Sequence, residues 1–99
     1  MEINIGKVRR RNNPRLSNED VIFNISKEKI ENGLHETVEV YFTVVRERDI
    51  EQLTLFIIKY GNTITISFGS ENLFISDEQK EKVIKAVKKL FPNAKILVK

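Results

Sequence analysis

Residues 52–69 read QLTLFIIKYGNTITISFG, and no other stretch constrains the fold as much. A Gly-Asn dipeptide between two runs rich in β-branched and aromatic residues is a two-residue hairpin signal. Centring the turn on Gly61-Asn62 sets Ile57 opposite Ile66 and Leu55 opposite Phe68. Alternate strand residues share a face, so these apolar pairs line one side of an antiparallel ribbon. The first strand also carries Phe56 and Ile58 on its other face. A strand apolar on both faces belongs in the interior of a sheet.

An earlier stretch, VIFNISKEKIENGLHETVEVYFTVV, contains Asn32-Gly33. A turn there sets Ile25 opposite Val40, Phe23 opposite Phe42 and Val21 opposite Val44. Three apolar pairs in one register favour a hairpin. The rival is a short helix over SKEKIEN, capped by Ser26 and ended by Gly33. RERDIEQ, 46–52, then reads as a polar connection between two hairpins, and the simplest topology is a four-strand antiparallel meander. At the start, Ile3 and Ile5 alternate and the pattern slips at Gly6 to reach Val8, as in a strand bulged at the glycine. NLFIS, 72–76, is a short additional strand.

One helix is well signalled. Ser76 followed by Gln79 forms a capping box, with Asp77 and Glu78 in the first turn and Lys88 and Lys89 near the end, as the helix dipole favours. Val83, Ile84, Val87, Leu90 and Phe91 make an apolar stripe, Pro92 stops the helix, and AKILV, 94–98, is a final strand. The expectation is one α+β domain over residues 1–99. It comprises an antiparallel β-sheet built as a meander of hairpins, a C-terminal amphipathic helix packed on one face, and a final strand. One helix covers only part of such a sheet, so the sheet must curl, form a homodimer or leave a face wet.

The chemistry of an enzyme is missing. The chain has no cysteine and one histidine, His35, beside the expected Asn-Gly turn. Neither a thiolate nucleophile nor a histidine-based metal site can be assembled, and no cluster of acids has ligand spacing. Glu36 and Glu39 fall on opposite faces of a strand and cannot work as a carboxylate pair. No phosphate-cradling glycine motif occurs. The reading is therefore a protein without catalytic residues, metal or cofactor. No run is apolar enough to span a bilayer and the first residues lack the apolar core of a secretory leader, so the expectation is a cytoplasmic protein with no membrane partner.

The charge pattern points to a binding role. The chain carries a formal charge of +3, unevenly placed. Residues 1–16 hold five basic side chains and one acidic, residues 17–79 five and twelve, residues 80–99 seven and one. Two cationic ends flank an acidic middle, and they form one surface if they meet in the fold. The sequence VRRRNNPR supplies Arg9, Arg10, Arg11 and Arg15, whose planar forks suit phosphates and carboxylates. Lys85, Lys88 and Lys89 on the helix support them, with Lys82 on the same face.

Two functions follow. The first is a module contacting a nucleic-acid phosphate backbone through Arg9, Arg10, Arg11, Arg15, Lys85, Lys88 and Lys89. The second is a protein-binding module: an adaptor, inhibitor or assembly subunit, of the kind that phages and mobile elements encode. It would use a strand edge or the face bearing Tyr41, Phe56 and Tyr60, with the arginines meeting an acidic partner.

Overall fold

The computed structural model describes residues 1–11, 16–32, 35–43 and 50–99. The chain is a mixed α+β structure of mostly antiparallel sheets, with one main helix and a final strand after it. The N-terminal strand β1 (Glu2–Gly6) pairs antiparallel with β3 (Val21–Asn24), setting Ile3 against Phe23. The register slips between Asn4 and Gly6, and Gly6 has φ 81°. That backbone is open to glycine at little cost, so the slip in the apolar alternation does mark a bulge. The Asn4 side chain closes it, accepting from Gly6 N–H at 2.8 Å.

Beyond the bulge, β2 (Arg9–Arg10) pairs antiparallel with β7 (Leu73–Phe74), which confirms a short strand within 72–76. The third sheet has the order β4 (His35–Thr43), β5 (Ile50–Tyr60), β6 (Thr63–Gly69), β8 (Lys95–Val98). β5 and β6 form the Gly61-Asn62 hairpin in the expected register, with Ile57 opposite Ile66 and Leu55 opposite Phe68. Gly61 takes φ 61°, the conformation this tight turn requires. β5 is an interior strand, as its two apolar faces imply, but only one of those faces is covered. Leu53, Leu55 and Ile57 are buried, whereas Phe56 and Ile58 are exposed.

The first expected hairpin is not formed. Residues Lys27–Asn32 are a helix, α1, so the rival reading of SKEKIEN holds for the helix and its start, while Gly33 lies outside the described residues. Ser26 caps it: its Oγ accepts from Lys29 N–H at 3.5 Å and its carbonyl from Ile30 N–H at 3.2 Å. Ile30 drops into the core, and Lys27 and Glu31 lie one turn apart at 3.7 Å. β3 pairs with β1, and β4 pairs with β5 from His35 opposite Ile58 to Thr43 opposite Ile50. The proposed partners Ile25–Val40 and Phe23–Phe42 are therefore not neighbours in any ladder, while Val44 and the whole of 44–49 lie outside the described residues. The polar connection expected over 46–52 is shorter, because β5 already begins at Ile50. The reason for the error is physical. The alternation Val21, Phe23, Ile25 specifies a buried face, and any apolar strand satisfies it; here Ile3 and Ile5 do.

The four-strand meander is corrected likewise. Only β4–β5–β6 run antiparallel in succession; the fourth strand of that sheet is β8, parallel to β6, with Ile64 opposite Ile96. Parallel neighbours need a crossover, and α2 (Asp77–Leu90) supplies it. The turn at Asn62 anchors the returning strand: its Nδ2 donates to Asn93 O at 3.0 Å, and its carbonyl accepts from Lys95 N–H at 2.9 Å.

The capping box of α2 is complete. Ser76 Oγ accepts from Gln79 N–H at 3.2 Å, and Gln79 Oε1 accepts from Ser76 N–H at 3.0 Å. Of the expected stripe, Val83, Val87 and Phe91 are buried and Ile84 and Leu90 pack at its margin, with Ala86 completing the buried face. α2 lies against β1, and one continuous core joins Ile3 and Ile5 of β1, Phe23 of β3 and Ile30 of α1 to the inner face of β5 and β6.

Candidate anion-binding cleft

The chain leaves β1 at the bulge and runs past the N-terminal end of α2. Val8 is buried and acts as the pivot: its carbonyl accepts from Ser17 N–H at 2.9 Å, and its N–H donates to Ser17 Oγ at 3.3 Å. This brings Leu16 alongside Arg9. On the other side Arg9 pairs with Phe74 and Arg10 with Leu73. Gln79 ties the segment to the helix. Its Nε2 donates to Ile5 O at 3.1 Å and to Lys7 O at 2.7 Å, while its Oε1 serves the capping box. One side chain thus ties the N-terminal cationic segment to the first turn of α2.

Between these elements lies a cleft of about 360 Å³. Its cationic wall is Lys7 and Arg9 from the N-terminal segment and Lys82 from α2. Glu78 is the one carboxylate among its lining residues. Buried Ile5 with Leu16 and Phe74 forms the apolar part, the last two half exposed, at 49% and 51%. Three cations against one carboxylate leave the cleft net positive, and the low-dielectric walls focus that field.

The expected binding residues divide accordingly. Arg9 lines the cleft. Arg10, its neighbour in β2, is partly buried and takes the opposite side by strand alternation. Arg11 is exposed beyond the strand, where its N–H donates to Asn72 O at 2.8 Å and its Nε to Leu73 O at 3.4 Å. Arg15 lies outside the described residues. Lys85, Lys88 and Lys89 are exposed on α2 but do not line the cleft; Lys82, one turn earlier, does.

Phe56 and Tyr60 lie elsewhere, on the outer face of the large sheet, with Ile58 between them. The Phe56 ring covers Gly69, where an added Cβ would sit 3.0 Å from Phe56 Cε2. Tyr41 occupies β4 opposite Gln52, and its side chain is outside what is described.

Sequence reasoning missed Leu16 and Phe74 as members of a site, while Lys7 belongs to the basic cluster of residues 7–15 that the sequence already shows. A signal for Phe74 existed: it stands between Leu73 and Ile75, both buried, so strand alternation turns a large aromatic outward. Nothing in the sequence placed it beside Arg9. Among the described residues no group of histidine, cysteine or acidic side chains is arranged to hold a metal ion, and no helix is long and apolar enough to cross a membrane. Comparison with protein-family models, with curated proteins and with solved structures finds no match to the chain.

Proposed function

We propose that this protein is a non-enzymatic, cytoplasmic binding module that grips the phosphate backbone of a nucleic acid. The observation that carries the reading is the cleft in which Lys7 and Arg9 meet Lys82, residues drawn from the two cationic ends of the chain. Guanidinium and ammonium groups held together on folded backbone bind successive phosphates and release their counterions. Arg10 and Arg11 flank the cleft in sequence, and Lys85, Lys88 and Lys89 extend the positive field along α2. Contacts of this kind position a backbone and carry little base specificity.

A salt titration of binding to random-sequence DNA and RNA tests this. Affinity should fall steeply between about 50 and 200 mM salt, as multiple phosphate contacts require. The double variant Arg9→Ser/Lys82→Ser should reduce the slope of log affinity against log salt by about 2. Absence of binding at low salt, or an unchanged slope, overturns the proposal.

A second reading has its own observation. On the outer face of the large sheet Phe56 is 38% exposed and Tyr60 83%, with Ile58 and Leu97 beside them. An apolar surface of this kind suits a protein partner, including a second copy of the chain. Sedimentation over a range of concentrations, with and without Ile58→Glu, tests the homodimer. A monomer throughout removes it.

A further inference from the structure

We propose that the cleft binds an unpaired nucleotide of a single strand, with the base against Phe74 and its phosphate among Lys7, Arg9 and Lys82. The inference rests on the phosphate-binding reading and adds the class of nucleic acid. A site for phosphate alone has no use for apolar walls, yet Phe74, half exposed, and Leu16 both line this cleft. Phe74 is held in place by backbone. It pairs with Arg9 in the β2–β7 ladder, and the Leu73 and Ile75 side chains on either side are buried. An aromatic anchored in this way loses only two side-chain torsions on meeting a base.

Size and charge agree with this occupant. At about 360 Å³ the cleft falls at the lower end of the range for small-molecule sites, a size that suits one nucleotide. A duplex base is stacked on both sides and cannot enter, so only an unpaired base satisfies both the aromatic and the cationic wall. Glu78 is the exception within the positive lining. It opposes phosphate, but it can accept from a base amino group or a ribose hydroxyl. An acidic peptide with an apolar side chain is the competing occupant. Its carboxylates would meet the same three cations, but it has no need of a flat ring surface.

The test uses the full chain and dye-labelled oligonucleotides followed by fluorescence anisotropy. The probes are a single strand, a duplex of the same length and a single strand of abasic sites, which keeps the phosphates and removes the bases. The wild type should prefer the normal single strand to both others. Phe74→Ala should weaken normal single-strand binding about 5- to 150-fold, the range for loss of one base–aromatic stack. It should leave the abasic strand and the salt slope unchanged, and Phe74→Tyr should restore affinity. Circular dichroism of each variant checks that the strand pair survives. Equal binding of normal and abasic strands, or no effect of Phe74→Ala, overturns the nucleotide while the salt slope keeps the phosphate grip. Loss of all salt-dependent binding overturns both. Displacement of the oligonucleotide by a tighter acidic peptide, sensitive to Phe74→Ala, assigns the cleft to protein and overturns the nucleotide as well.

Discussion

Replacing Gln79 separates two roles that one side chain combines. Its amide makes three hydrogen bonds: to Ile5 O at 3.1 Å, to Lys7 O at 2.7 Å, and from Ser76 N–H at 3.0 Å. A typical net contribution is about 1 kcal/mol per bond, less where water reaches the group, as it does at Lys7. Gln79→Ala should therefore cost about 2 kcal/mol. For a domain of this size that is a fall in Tm of roughly 8–16 °C. Gln79→Glu is the informative partner. Local helix physics predicts no loss from it, because a carboxylate in the first turn keeps the capping acceptor and suits the dipole. The tertiary contacts predict the opposite. A carboxylate has no proton to donate to the Ile5 and Lys7 carbonyls and faces both lone-pair to lone-pair, so Gln79→Glu should be at least as damaging as Gln79→Ala. Urea unfolding followed by circular dichroism measures both variants. Wild-type stability in Gln79→Glu would refute the argument that this residue clamps the N-terminal strand to α2. If the clamp is real, the surviving folded variant should also bind anions less well, since Lys7 and Arg9 are then no longer held opposite Lys82.

Other expectations are more local. Gly6→Ala meets no atom within 4 Å but must adopt φ 81°, so the cost is strain alone, about 1–2 kcal/mol, read as a lowered Tm. Phe23→Ala empties the centre of the core and should cost about 3–5 kcal/mol, enough to leave much of the protein unfolded at 37 °C, as the loss of chemical-shift dispersion in its NMR spectrum would show.

The cationic ends illustrate how a charge pattern becomes a site. Seventeen lysines and arginines against fourteen acids give an unremarkable total. Local concentration arises because the bulge at Gly6 carries Lys7 and Arg9 past the start of α2, where Lys82 is one turn in. Lys85, Lys88 and Lys89, further along the helix, remain outside the cleft despite equal charge. Position in the fold, and not cation density, decides which of these residues line the cleft.

Features set by neighbours in the chain were legible from the residues alone. The Gly61-Asn62 hairpin and its register, the bulge at Gly6, the capping box of Ser76 and Gln79, and the buried stripe of α2 each depend on a few adjacent side chains, whose conformational preferences act at short range. Pairings between distant segments were not legible. Val21, Phe23 and Ile25 demanded an apolar neighbour without naming it, and β1 met that demand instead of β4 because Ser26 and Ile30 put a helix where the strand was expected to run on to its turn. The cleft belongs to the same category. Its cations were visible in the sequence, but Phe74 and Leu16 came beside Arg9 only through strand pairing and the return of the chain at Val8. Alternation determines which way a side chain points; only closure of the whole core determines what it points at.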